Sequence, residues 1–160
     1  MRDADRPAAR GLAAPRTSPD KATLSPWATG LGYLALLPFV VGAGAVWMAD
    51  SAIRPVALQA MSAYAAVVIS FIGAIHWGIA FTQPTPARSL FVWGVMPSIV
   101  AFGALMVTPP IGLAIHAAML AACFAVDRTV YRRERVARWL PLRLRLTTVA
   151  ILCCLFAIGA

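Results

Sequence analysis

The sequence predicts an all-α membrane protein, a bundle of about five transmembrane helices. Three observations predict it: an apolar composition, five long apolar runs, and basic residues gathered in alternate connections. Of 160 residues, 61% are hydrophobic and 12% charged, with a mean hydropathy of +0.77; soluble domains run at roughly 45 to 50% apolar and 25% charged. A soluble domain of this length cannot hide so much apolar surface. The net charge of +8 raises nucleic acid as a partner, but the arginines flank apolar runs rather than cover a soluble face. Membrane topology accounts for them, and no nucleic-acid partner is expected.

Residues 1–28 read as a flexible basic cytoplasmic tail. Pro7, Pro15, Pro19 and Pro26 interrupt any helix there, and no apolar run serves as a signal sequence. Asp3, Asp5 and Asp20 argue against a mitochondrial transit peptide, a class that avoids acids.

A helix needs about 20 apolar residues to cross a hydrocarbon core of about 30 Å. Five runs meet that need, at about 31–47, 57–81, 90–107, 111–127 and 144–160, and none alternates with a strand period of two. Thr108, Pro109 and Pro110 alone separate the third and fourth spans, so those two form an antiparallel hairpin. Pro38 and Pro97 are expected to kink the first and third spans, each freeing the carbonyl four residues earlier, on Leu34 and Trp93.

Orientation follows from charge, because cytoplasmic connections retain Lys and Arg while translocated ones lack them. Arg2, Arg6, Arg10, Arg16 and Lys21 precede the first span, Arg54 alone follows it, and Arg88 alone follows the second. The fourth connection and its flanks carry Arg128, Arg132, Arg133, Arg135, Arg138, Arg143 and Arg145. Alternation puts every one but Arg54 on one side, with the N-terminus cytoplasmic and the C-terminus outside. Residues 128–143 read as an interfacial basic loop, in which Val130, Tyr131, Val136, Trp139 and Leu140 interleave with arginines in a short helix stopped by Pro141. Arg132, Arg133, Arg135, Arg138 and Trp139 are the residues expected at anionic lipid headgroups, at about 1 kcal/mol per basic residue. The plainer alternative is that these arginines only set topology.

Small residues recur at helical spacing: Ser62, Ala66, Ser70, Gly73 and Ala80 in the second span, Gly94, Ser98 and Ala101 in the third, Ala114, Ala118, Ala122 and Ala125 in the fourth. Lipid provides no hydrophobic push between helices, so close backbone approach holds spans together, and these stripes read as packing faces. A homo-oligomer interface is the alternative.

Chemistry is sparse. Cys123, Cys153 and Cys154 lie within apolar runs without ligand or redox spacing and read as small buried hydrophobes. His76 and His116 sit at depths differing by roughly 15 Å at 1.5 Å per residue, too far apart to share a metal or a haem; no metal and no cofactor is expected. His116 reads as a membrane-edge residue. Depth does gather Tyr33, His76, Trp77, Trp93, Asp127 and Arg143 at the inner leaflet. His76, Tyr33, Asp127, Arg143 and Trp77 form the candidate polar site, with no catalytic residue assigned. One reading makes His76 a packed group whose N–H satisfies a carbonyl freed by a proline. Another makes the cluster a pocket for a ligand or a proton relay. Asp127 beside Arg128 also reads as an interfacial ion pair.

Particular runs carry a family resemblance: Gly32 to Phe39 (GYLALLPF), Tyr64, Gly73-Ala-Ile-His76-Trp77-Gly78, Trp93 to Ser98 (WGVMPS), Asp127, and Leu142-Arg-Leu-Arg-Leu146. The chain resembles, over about residues 31–158, the transmembrane protein 69 family (domain of unknown function 3429). The resemblance implies a five-span protein of the bacterial cytoplasmic membrane and gives His76, Pro38 and Asp127 more weight; it implies no substrate, reaction or cofactor.

Without a nucleotide loop, an activated nucleophile or metal-ligand spacing, the leading expectation is a non-enzymatic accessory or assembly partner of a membrane complex. Its partners are then the lipid bilayer, anionic headgroups, and other membrane proteins or a second copy. A small oligomeric transporter or channel working around His76 is one alternative. A membrane enzyme acting on a lipid or quinone, with His76 and Asp127 as acid and base, is the other.

Overall fold

The computed structural model describes residues 24–160, so most of the expected tail at 1–28 lies outside the described residues. Six α-helices follow: α1 Pro26–Leu34, α2 Leu37–Met48, α3 Arg54–Phe81, α4 Arg88–Ala104, α5 Pro109–Arg133 and α6 Leu140–Ile158, with a 3₁₀ turn at Ala137–Trp139 leading into α6. No strand occurs among the described residues. Four stretches are long and apolar enough to cross a membrane: 26–48, made of α1 and α2, then α3, α5, and 137–158, the 3₁₀ turn with α6. Helix α4, at 17 residues, is shorter.

Proline sets the helix starts. It occupies the first turn of α1, α2, α3, α5 and α6, where its missing N–H costs nothing and its fixed φ already suits a helix. Pro141, expected to stop a helix, is therefore corrected: it lies in the first turn of α6. The interfacial helix expected between Val130 and Leu140 is absent as one element. Instead α5 runs to Arg133, the chain turns, and the 3₁₀ turn feeds α6. That turn is a Schellman closure, with Val136 N–H on the Tyr131 carbonyl at 2.9 Å and Arg135 N–H on Arg132 at 3.4 Å. It places Arg135 at φ 57°, a conformation usually left to glycine.

The chain breaks at Ala35–Leu36, between α1 and α2 and just before Pro38. The Tyr64 hydroxyl donates to the Ala35 carbonyl at 2.8 Å, and Leu36 N–H bonds the Tyr33 carbonyl at 3.0 Å. Helix α4, by contrast, runs through Pro97 without interruption.

With α1 and α2 taken as one stretch, successive helices alternate in direction. At one end Gln83, after α3, bonds Glu134, after α5, at 2.8 Å. At the other, Arg54 donates to main-chain oxygens of Ala49 at 3.3 Å and Ala160 at 2.8 Å, and the Trp47 indole donates to Phe156 at 3.0 Å. The core holds Phe39, Val46, Ile69, Leu113, Leu120 and Cys154.

Helices α3 and α4 touch backbone to backbone. A Cβ on Gly73 would lie 2.7 Å from the Gly94 carbonyl, and one on Gly94 would collide with the Trp77 ring. The small residues of α3 and α4 thus lie on or beside the packed face, with Ser62, Ala66, Gly73, Ala80, Gly94 and Ala101 buried. Most of the expected alanine stripe of α5 departs from expectation: Ala114, Ala118 and Ala125 are exposed while Ala122 packs half-buried, and the inward face carries Leu113, His116, Leu120, Cys123 and Asp127. Polar groups that hydrocarbon will not accept have to face other helices, so they set the rotation of α5 and turn most of those alanines out.

Candidate functional site

Three helices each contribute one residue to a buried cluster. His76 comes from the last third of α3, Asp127 from the last third of α5 and Arg143 from the first turn of α6. The connection between α5 and α6 is short, so these two helices form a hairpin that brings Asp127 and Arg143 face to face. Arg143 Nε donates to Asp127 Oδ2 at 2.8 Å. On the other carboxylate oxygen, Oδ1 faces His76 Nε2 at 3.5 Å, longer than an ordinary hydrogen bond. His76 and Asp127 are 0% exposed, Arg143 12%. Arg143 Nη1 also reaches the Thr147 hydroxyl at 3.4 Å, one helical turn along α6, and the phenol of Tyr131 faces the same guanidinium.

The pairing is incomplete. Both ring nitrogens of His76, Asp127 Oδ1 and Arg143 Nη2 are buried without a hydrogen-bond partner. A guanidinium and a carboxylate cancel in charge, so the cluster survives in a medium that would expel either alone. It is a carboxylate, an imidazole and a guanidinium drawn from three helices, with an unused acceptor on Asp127, an unused donor on Arg143 and both ring nitrogens of His76 unused.

The expected site is therefore brought together in part. His76, Asp127 and Arg143 meet. Tyr33 is 44% exposed at the end of α1, and Trp77 points its indole N–H at the Phe91 carbonyl, 2.9 Å away on α4, bracing the α3–α4 contact. The imidazole of His76 bonds neither freed carbonyl, since neither of its ring nitrogens has a hydrogen-bond partner. The expected Asp127–Arg128 pair is also corrected, since Arg128 is exposed and Arg143 takes the carboxylate. Sequence reasoning missed Thr147 and placed Tyr131 only at the lipid interface. Their signal was helical spacing: Thr147 stands four residues from Arg143, and Tyr131 four from Asp127.

A second buried polar contact joins α3 to α5. His116 Nε2 and Ser62 Oγ share a hydrogen bond of 3.1 Å, and His116 is 0% exposed, so it packs between helices. No group of three or more His, Cys, Asp or Glu at metal-holding distance occurs among the described residues.

Beside the cluster lies an apolar groove of about 640 Å³ between α1–α2, α3, α5 and α6, with Arg143, Thr147 and Tyr131 in its lining. Arg132, Arg133, Arg135 and Arg138 are exposed at the same end of the bundle and Trp139 is half-buried, lining the groove.

An all-helical bundle with four stretches able to cross a membrane, folded around a buried ion pair, defines a multi-pass membrane protein. The chain belongs to the family described as Protein of unknown function (DUF3429), whose model matches residues 24–159. No match is found among curated proteins or among solved structures.

Proposed function

We propose that the protein is a non-enzymatic multi-pass component of the bacterial cytoplasmic membrane, an accessory or assembly partner of a larger membrane complex. The observation that carries this reading is the sealing of the polar cluster. His76 and Asp127 have no exposed surface, and a catalytic acid or base has to reach its substrate. Their geometry suits a lock that joins α3, α5 and α6 inside hydrocarbon. The outward alanines of α5, Ala114, Ala118 and Ala125, leave a thin helix face against which a helix of another membrane protein, or of a second copy, packs closely.

Orientation belongs to the same proposal. The arginine-bearing end, with Arg88, Arg132, Arg133, Arg135 and Arg138, faces the cytoplasm beside anionic headgroups, and the connections at 49–53 and 105–108 face outward. Single cysteines in a background where Cys123, Cys153 and Cys154 are replaced report it: positions 84 and 136 stay protected from an impermeant thiol reagent in intact cells, while positions 51 and 107 react. Purification in mild detergent followed by native mass spectrometry tests the partner. A mass of the chain with a second polypeptide is expected; a bare monomer, with no partner captured by crosslinking in membranes, overturns the accessory reading.

A further inference from the structure

We infer that the cluster of His76, Asp127 and Arg143 binds one internal water molecule, held between Arg143 Nη2, Asp127 Oδ1 and His76 Nε2. The inference rests on the cluster's geometry and not on the accessory role, so a captured partner neither supports nor removes it. The ion pair is end-on. A guanidinium offers Nε and Nη2 as two prongs of one fork, and a carboxylate that meets both is held by two parallel bonds. Here Nε donates to Oδ2 at 2.8 Å, while Nη2 is buried without a partner. The second oxygen, Oδ1, faces His76 Nε2 but stops at 3.5 Å, and both of these atoms are unpartnered as well. Three unfinished groups, one from each of α3, α5 and α6, therefore stand around the same carboxylate. The rest of the guanidinium is engaged, with Nη1 on the Thr147 hydroxyl at 3.4 Å and the Tyr131 phenol against it.

A buried donor or acceptor without a partner has given up the hydrogen bond it made in water, and folded proteins leave few in that state. A swing of the carboxylate does not finish the set, because closing Oδ1 onto Nη2 leaves Nε2 bare and closing it onto Nε2 leaves Nη2 bare. The unfinished groups also select their ligand. Nη2 donates, Oδ1 accepts, and Nε2 does one or the other according to the tautomer. Water answers all three, taking a bond from Nη2, giving one to Oδ1 and making the third at Nε2, the count of about three usual for a buried water. Two atoms 3.5 Å apart leave room at their side for a molecule about 2.8 Å from each. An anion has no proton to give the carboxylate oxygen, and a cation meets the donor edge of Arg143. Either ion also adds unmatched charge to a pair that already cancels inside hydrocarbon, whereas water adds none. With His76 and Asp127 0% exposed, the bound molecule is shut away from bulk solvent and exchanges slowly.

The test uses the full chain with isotope-labelled histidine in detergent micelles, read by nuclear magnetic resonance, with the two imidazoles told apart by a His116→Gln or His76→Gln variant. Magnetisation is expected to pass from water to the His76 ring protons with the same sign as the protein's own cross-peaks, as a long-held molecule gives. Asp127→Leu with Arg143→Met removes two of the three partners and is expected to abolish that transfer. Thr147→Val and Tyr131→Phe are expected to keep it, since those hydroxyls meet Arg143 rather than His76. No transfer to His76 in the folded wild type, transfer that persists in the folded double variant, or transfer lost with either hydroxyl overturns the inference. If the double variant does not fold, a crystal structure of the wild type decides. Density within hydrogen-bond distance of Arg143 Nη2, Asp127 Oδ1 and His76 Nε2 is expected there, and a direct bond from Nη2 to Oδ1 in its place overturns the inference.

Discussion

Arg143 Nε lies 2.8 Å from Asp127 Oδ2 across the α5–α6 hairpin, and the carboxylate's other oxygen faces His76 Nε2 at 3.5 Å. Breaking one side of this pair leaves a bare charge inside the bundle. Asp127→Ala is expected to cost about 3 to 5 kcal/mol of stability, whereas Asp127→Leu combined with Arg143→Met is expected to recover most of it. Thermal unfolding of the single and double variants in detergent checks this, and a double variant no better than Asp127→Ala shows the pair to be more than a lock.

Gly73 and Gly94 let α3 and α4 touch. Gly73→Ala is expected to destabilise by about 1 to 3 kcal/mol, because the new methyl meets the rigid Gly94 carbonyl. Gly44 and Gly103 have open space around them, so alanine there is expected to be neutral or stabilising by up to about 1 kcal/mol. Equal unfolding temperatures for all three variants would remove the close contact from the account.

The Tyr64 hydroxyl bonds the Ala35 carbonyl at the break before Pro38. Tyr64→Phe is expected to lose about 0.5 to 1.5 kcal/mol and to speed amide exchange around residues 36–40. Faster exchange spread over all helices, rather than confined to that break, contradicts a local role.

Arg135 holds a left-handed conformation at the end of α5. Arg135→Gly relieves the clash of Cβ with its own backbone and is expected to raise stability by about 1 kcal/mol, while Arg135→Val lowers it by more. A raised unfolding temperature for the valine variant would show that the turn reshapes freely.

Much of this architecture was legible beforehand. The apolar runs, a short turn between the third and fourth spans and the polar residues His76, Asp127 and Arg143 stand out because hydrocarbon penalises charge and rewards length, both properties of a segment read alone; the turn itself lies at 105–108 rather than 108–110, since Pro109 and Pro110 open α5. The partner of Asp127 was not legible. Arg128 is adjacent in sequence, but consecutive residues on a helix point about 100° apart, so Arg128 faces out where Asp127 faces in. Pro141, read as a stop, instead lies in the first turn of α6, because proline suits the start of a helix as well as the end of the one before.

The sequence by itself determined that the chain is helical, that it suits a bilayer, and which few groups have to be hidden within it, because each of those follows from the free energy of moving one segment into hydrocarbon. Only the tertiary structure decided how each helix is rotated. That rotation pairs Asp127 with Arg143, turns Ala114, Ala118 and Ala125 of α5 outward, buries His116 against Ser62 and opens a groove beside Tyr131. It is set by contacts between segments distant in the chain, and local patterning carries no information about them.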